Sequence, residues 1–326
     1  MHLETDYLGL HLKNPLVAGG SALTGSLDSL IQLAEAGIGA IILKPIFEEE
    51  IIYDIKRNTH EVAPTNNYGE SYKFVAEQGR EDAFEKYLSL IADAKEKISV
   101  PIIGSIDCYS YDNWISYAKR LETAGCDALE LNVSIRPYDT SVSADDVERT
   151  FSDIVYTIKR VTSLPVAIKM VPYFTDMAKF VQQISWMGIQ GISLFNRNPG
   201  IDIDLERLAI VDYDSKGLSD DLYNTMCWVS ILRNKLRCDI SAVASVKTTQ
   251  DVIKLLLAGA GTVQLTSCLR GQNFDIIAKI LGGLEDWMTN KGFDSLADFR
   301  GKLSVPSSGN AFMMMRTMQI KDSFSN

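Results

Sequence analysis

One phrase, written four times, limits what this chain can fold into. It reads Ala36-Gly37-Ile38-Gly39-Ala40-Ile41-Ile42-Leu43-Lys44, then Ala124-Gly125-Cys126-Asp127-Ala128-Leu129-Glu130-Leu131-Asn132, then Met187-Gly188-Ile189-Gln190-Gly191-Ile192-Ser193-Leu194-Phe195-Asn196, then Ala258-Gly259-Ala260-Gly261-Thr262-Val263-Gln264-Leu265-Thr266-Ser267. Each copy predicts a helix end at the first glycine, a residue that takes the left-handed conformation without steric cost. A short apolar strand follows, as in parallel sheets covered on both faces. Between the copies lies a second kind of strand, usually entered through proline: Asn14-Pro15-Leu16-Val17-Ala18-Gly19, Val100-Pro101-Ile102-Ile103-Gly104-Ser105, Leu164-Pro165-Val166-Ala167-Ile168-Lys169 and Cys238-Asp239-Ile240-Ser241-Ala242-Val243. Four of one kind alternating with four of the other, with helical patterns between, predict an α/β fold, the (β/α)8 or TIM barrel.

A length of 326 residues suits one such barrel with insertions, a single domain spanning residues 1–326. Such a domain buries about three quarters of its unfolded surface. The formal net charge of −10 argues against nucleic acid or an anionic membrane as partner. The chain shows neither a run of about 20 apolar residues nor the basic and apolar regions of a signal peptide, so a cytoplasmic protein is expected. Its five cysteines are scattered and never spaced C-x-x-C, and only three histidines occur. Reduced thiols are expected, with no iron–sulfur cluster and no metal site.

Taken in order, residues 3–13 predict a hairpin with Gly9 near its turn, closing the bottom of the barrel. Residues 27–36 predict the first helix, with Ser26 as its cap. Residues 47–79 form a polar, asparagine-rich excursion, expected as a cover over the barrel mouth, before a helix over 81–98. Helices are also expected over 114–123, over 144–161 and from Thr249. A second insertion over 198–218 carries Asp202, Asp204 and Glu206. A helix and a tail containing Phe312-Met313-Met314-Met315 finish the chain.

Barrels of this kind place their chemistry at the C-terminal ends of the strands. That rule collects Gly19, Lys44, Ser105, Asn132, Lys169, Asn196, Ala244-Ser245 and Thr266-Ser267. Lysines and amides at these tips are costly beside a packed core and need partners or a pocket. Each lysine can instead pair with a nearby carboxylate such as Glu130. Ala244-Ser245-Val246, followed by Thr248 and Thr249 at a helix start, offers small residues and N–H groups to a phosphate, and Thr266 and Ser267 add hydroxyls.

These pieces together resemble the dihydroorotate dehydrogenase family of FMN barrels over essentially the whole chain. The matching residues are Asn14-Pro15-Leu16-Val17-Ala18-Gly19-Gly20, Lys44, the Asn66-Asn67-Tyr68-Gly69 loop, Glu130-Leu131-Asn132-Val133-Ser134, Lys169 with Pro172-Tyr173-Phe174, Phe195-Asn196, Ala258-Gly259-Ala260 and Phe299-Arg300-Gly301-Lys302. The chain is most similar to the dihydroorotate dehydrogenase-like subgroup, which keeps the FMN site and lacks part of the catalytic set. The resemblance implies FMN with its phosphate over Ala244, Ser245, Val246, Thr266 and Ser267, with Ala18, Gly19, Ser105 and Asn196 also lining the cofactor. Lys169 would approach the N1/O2 side of the ring, where positive charge stabilises reduced flavin. Asn132 would hydrogen-bond flavin or substrate, and Lys44 would lie near the ring or the substrate. Asn66, Asn132 and Asn196 match positions that hold orotate.

The departure falls on the chemistry. Where active members have a Cys or Ser base followed by Pro and Asn, this chain has Ile135, Arg136 and Pro137. Isoleucine accepts no proton, and loss of a general base costs about 10²–10⁴-fold in rate. Glu70 puts a carboxylate in the loop that would face an anionic substrate. Ser134, Cys108, Tyr109 and Tyr138 are the substitute proton relays to consider. Three readings stand: an FMN-dependent oxidoreductase, with hydride transfer at N5, acting on something other than dihydroorotate; a flavin-binding protein without turnover; or a dihydroorotate dehydrogenase of pyrimidine biosynthesis with a substitute base. The cytosolic relatives imply a homodimer.

Overall fold

The structure is a computed structural model that describes residues 1–47, 69–107, 111–133, 140–196, 201–212, 220–272, 274–306 and 309–323. Eight parallel strands close into a barrel: β3 (Leu16–Ala18), β4 (Ala40–Ile42), β6 (Ile102–Asp107), β7 (Ala128–Asn132), β8 (Val166–Met170), β9 (Gly191–Leu194), β12 (Asp239–Val243) and β13 (Thr262–Leu265). Pairing of β13 with β3 and of β4 with β6 completes the ring, which leaves no open edge. A two-residue strand, β5 (Ile46–Phe47), extends the upper end of β6. The (β/α)8 expectation is met strand for strand.

The repeated glycines do what their positions predict. Gly37, Gly125, Gly188 and Gly259 have φ of +94°, +95°, +84° and +119°, each turning the chain from a helix into a barrel strand. A side chain at these angles would crowd its own carbonyl, so the four copies share one local geometry.

The N-terminal hairpin pairs β1 (Thr5–Tyr7) with β2 (Leu10–Leu12) across a turn in which Leu8 and Gly9 both have positive φ. Tyr7, Leu8 and Leu12 are fully buried among Val17, Ala40, Ile42, Ile103, Ala128 and Ala167, which stoppers the lower barrel with apolar side chains. Gly191 makes room for this plug, since a Cβ there would lie 2.4 Å from Leu8 Cδ2. Higher in the barrel the inward positions become polar: Ser105, Glu130, Asn132, Lys169, Ser193 and Gln264 are buried. Apolar faces of the surrounding helices cover the outside. Helix α4 (Ala144–Val161) buries Val147, Phe151, Ile154, Val155 and Ile158 along one stripe and starts at a capping box formed by Ser143 and Asp146.

Two local expectations are corrected. The helix expected over 81–98 is α2 (Gly69–Lys97), so the last part of the expected excursion, residues 69–79, is helical. Residues 70–78 are mostly good helix formers, and the single interruption at Gly79 costs only about 1 kcal/mol. Residues 48–68 lie outside the described residues. Ser26 stands at the start of α1 (Leu27–Glu35), but its hydroxyl donates to Ser29 Oγ at 3.0 Å and caps no backbone N–H. The second insertion holds an antiparallel hairpin, β10 (Ile201–Asp204) and β11 (Ala209–Asp212), and α6 (Asp220–Leu232) follows. Helix α3 spans Tyr111–Thr123, α5 spans Met177–Ser185, α7 spans Thr249–Ala258, α8 spans Asp275–Lys291 and α9 spans Ala311–Ser323. None of the helices among the described residues is long and apolar enough to cross a membrane.

Candidate active site

The upper barrel interior is a connected polar network. Lys169 Nζ donates to Glu130 Oε1 at 3.2 Å and to Gln264 Oε1 at 3.3 Å. The other Glu130 oxygen accepts from Ser193 Oγ at 2.6 Å and from Gln264 Nε2 at 2.8 Å, and Gln264 Nε2 also reaches Ser193 Oγ at 2.9 Å. Period-two alternation places these side chains together, because residues two apart on a strand share a face. The Lys–Glu pairing weighed from sequence is therefore present for Lys169. It leaves the ammonium one further donor among the described residues, two of its three protons being committed. The Tyr7 hydroxyl lies 3.5 Å from Ser193 Oγ, and burial, with the Glu130 carboxylate next, pushes its pKa far above the ordinary tyrosine range. Tyr7 stays a neutral phenol at any physiological pH.

Asn132, two residues beyond Glu130, is 2% exposed and donates its Nδ2 to Ser105 Oγ at 2.9 Å. Among the described residues its Oδ1 is left as an acceptor at the strand tip. Lys44 is half-buried after β4, its backbone N–H bonded to Thr24 O at 3.3 Å. Asn196 is half-buried after β9, its N–H bonded to Met170 O at 2.7 Å. Ala18 is buried at the end of β3. A Cβ on Gly19 would fall 2.5 Å from Thr266 Oγ1, so the chain passes there only because Gly19 has no side chain. The structure thus gathers Ala18, Gly19, Lys44, Ser105, Asn132, Lys169, Asn196, Thr266 and Ser267 at strand ends on one face of the barrel.

The two expected phosphate contacts differ. Ser267 Oγ is buried and has no hydrogen-bond partner among the described residues. A buried hydroxyl without a partner costs about 1–3 kcal/mol, and a ligand oxygen at that point would remove the cost. The turn after β12 is the reverse. Ser245 N–H and Oγ–H both go to the Asp221 carboxylate, at 3.1 and 2.6 Å to Oδ2, and Val246 N–H bonds Ala244 O at 2.8 Å. The Thr266–Ser267 side thus offers a hydroxyl that is open among the described residues, whereas the Ala244–Val246 side already holds the Asp221 carboxylate.

Burial pushes the Cys126 thiol up to about 12 and the Cys268 thiol, next to Ser267, up to about 11. Neither is a thiolate at neutral pH, so neither is a base or nucleophile. Ile135, Arg136, Pro137, Ser134, Tyr138, Cys108, Tyr109 and Asn66 lie outside the described residues, as does the side chain of Glu70. A cleft of about 600 Å³ lined by Trp186, Gln190, Arg233, Arg237 and Asp239 lies at the other end of the barrel. Its arginines follow the C-terminus of α6, where cations complement the helix dipole, and that face of such barrels serves stability.

Sequence reasoning missed the roles of Ser193, Gln264 and Asp221 and treated Glu130 only as a competitor for lysine. A signal existed for three of the four. Glu130, Ser193 and Gln264 are lone polar residues inside apolar strands, which must be partnered. Asp221 carried no such signal, since an acidic residue at a helix start is ordinary.

The chain matches the family model described as Dihydroorotate dehydrogenase over residues 2–288. It is similar to the dihydroorotate dehydrogenase B (NAD(+)) catalytic subunits of Thermoplasma acidophilum, 24% identical over 92% of this chain and 98% of that one, and of Methanothermobacter thermautotrophicus, 26% identical over 92% and 97%. The NAD-dependent dihydropyrimidine dehydrogenase subunit PreA of Escherichia coli is 23% identical over 92% of this chain and 76% of its own.

Proposed function

Because the chain belongs to the dihydroorotate dehydrogenase family, whose members are flavoproteins, we propose that it is an FMN-dependent oxidoreductase acting on a substrate other than dihydroorotate. The Ser267 hydroxyl at the mouth, without a partner among the described residues and above a network carrying the Lys169 ammonium, is the observation that carries the reading of a flavin site. When bound, FMN supplies a two-electron acceptor that takes a hydride at N5 from a substrate C–H bond.

The roles of the chain's own residues follow from their donors. Lys169, held by Glu130 and Gln264, offers its remaining proton and its charge to the electron-rich edge of the ring. Asn132, its amide fixed by Ser105, presents Oδ1 as an acceptor to flavin or substrate. Lys44 and Asn196, at strand ends, are assigned to the substrate side, and the family resemblance assigns Asn66 to the substrate as well. Gly19 and Ala18 let the backbone lie against the cofactor, and Thr266 and Ser267 hold its phosphate end. Ile135 stands where family members carry the base, which supports a changed substrate or a flavin-binding protein without turnover; a substitute base would restore dihydroorotate oxidation. A homodimer in the cytoplasm, organised as one FMN domain over residues 1–326, completes the proposal. The relatives named catalytic subunits make a second kind of chain the alternative partner.

The visible spectrum of the purified, FMN-supplied protein, taken anaerobically before and after dihydroorotate, tests the reading. An oxidised-flavin band that persists supports it. Bleaching would restore the family activity, and absence of the band would end the flavin assignment.

A further inference from the structure

The turn that leaves β12 holds four consecutive backbone N–H groups, at residues 245–248, in the place where a barrel of this kind offers amides to a phosphate. Each already has an acceptor within the chain. Ser245 N–H lies 3.2 and 3.1 Å from the two Asp221 oxygens, and Ser245 Oγ–H reaches Asp221 Oδ2 at 2.6 Å. Val246 N–H takes Ala244 O at 2.8 Å. Lys247 and Thr248 N–H both go to Asp251 Oδ2, at 3.0 and 2.9 Å, in the capping box of α7. Asp251 is an ordinary helix cap. Asp221 is not: it comes from the first turn of a different helix, α6, and reaches across to this turn. Its helix is anchored beside the site by Thr225 Oγ1, which donates to Val243 O at 3.1 Å.

A carboxylate bridging an N–H and a hydroxyl is what an anion seat looks like when occupied, because charge-assisted bonds of this kind are the strong ones. A phosphate dianion entering the same seat must displace Asp221 or lie against it, and like charges at that range repel strongly in a partly buried site. A flavin ending in a neutral ribityl hydroxyl meets the opposite situation, since a hydroxyl can donate to the carboxylate. We propose that Asp221 is a specificity-determining residue of the flavin site, which holds the Ser245 seat as an internal anion and so levels the preference between FMN and riboflavin. This rests on the flavin reading above and goes beyond it, because the family resemblance implies a phosphate over this turn and not a carboxylate of the chain itself seated there. The phosphate that does bind is gripped from the Thr266–Ser267 side, where the Ser267 hydroxyl has no partner among the described residues.

The test uses the full chain stripped of flavin, with dissociation constants for FMN and riboflavin from quenching of flavin fluorescence, in the wild type and in Asp221→Asn. Asparagine keeps an acceptor for Ser245 and removes the charge. The expected result is that wild-type protein favours FMN over riboflavin by less than about tenfold, and that Asp221→Asn tightens FMN about tenfold while riboflavin changes less than about twofold. A wild-type preference for FMN above about tenfold overturns the proposal, and this measurement stands even where the variant fails to fold. A folded variant that binds FMN no more tightly than wild type, or that shifts both flavins equally, also overturns it and leaves the flavin assignment intact. Failure of both flavins to bind either protein overturns the flavin assignment, and this inference falls with it.

Discussion

Lys169 Nζ sits 3.2 Å from Glu130 Oε1 inside the barrel, with 8% and 1% of the two side chains exposed. Glu130 has its second oxygen bonded to Ser193 and Gln264, so the pair is enclosed by partners on both sides. Breaking such a pair from one side strands a buried charge, at a cost of about 3–5 kcal/mol. Glu130→Gln is therefore expected to lower unfolding free energy by about that amount, read from chemical denaturation. Adding Lys169→Met to Glu130→Gln is expected to recover more than half of the loss, since a stranded ammonium no longer remains. A loss below about 1 kcal/mol in the single variant would show the pair to be hydrated and weak.

Gly19 passes Thr266 so closely that a Cβ would stand 2.5 Å from Thr266 Oγ1. Gly19→Ala is expected to destabilise by about 1–3 kcal/mol through overpacking. Thr266→Ala, which removes the obstructing oxygen, is expected to reduce that cost to below about 1 kcal/mol in a double-mutant cycle. Additive effects of the two substitutions would contradict the contact.

Leu208, at the end of the loop between β10 and β11, has φ of +47° and is 85% exposed. Its side chain gains little from burial and its backbone occupies the left-handed region, which costs most residues about 1–2 kcal/mol. Leu208→Asn is expected to stabilise by about 0.5–1 kcal/mol, because asparagine tolerates this conformation without glycine's entropy loss. Thermal unfolding of the two proteins measures it, and an unchanged or lower midpoint would refute the strain.

Asp239 opens β12 and accepts Leu8 N–H at 2.9 Å, tying the plug to the barrel. Burial raises its pKa above 3.8, against the lowering effects of the Leu8 N–H, Arg300 and Arg233, while Asp6 adds to the rise. The folded state thus binds this proton more tightly than the unfolded one. The associated stability is full below pH 3.8 and is lost as the pH rises from there through the elevated native value. Asp239→Asn keeps an acceptor for Leu8 and is expected to flatten this part of the pH–stability curve, leaving the variant at least as stable as wild type at neutral pH. A variant clearly weaker at pH 7 would mean that attraction to Arg300 and Arg233 outweighs the burial of charge.

Much of the fold was legible in local pattern. A glycine that must turn left-handed after a helix, followed by an apolar strand, is a chain-local event, and the copies at Gly37, Gly125, Gly188 and Gly259 all behave alike. Proline before a strand and alternation within it are equally local, so the eight barrel strands and their order could be read from the sequence alone. The helix over Gly69–Lys97 was shortened because one glycine and a polar surface hid its continuity.

The sequence by itself determined the barrel, the strand tips and the inward polar positions, because these depend on conformational preferences within a few residues and on period-two alternation. It did not determine what those positions touch. Gln264 meets Glu130 across 134 residues, Lys169 meets Glu130 across 39, and Asp221 meets Ser245 across 24 between two separate elements. Such pairings exist only once the ring has closed and its helices have docked. Whether Lys169 is balanced by Glu130, and whether the Ser245 seat is open or held by Asp221, was therefore decided by tertiary structure: hydrogen bonds of about 3 Å depend on where whole elements come to rest, and no local pattern encodes that position.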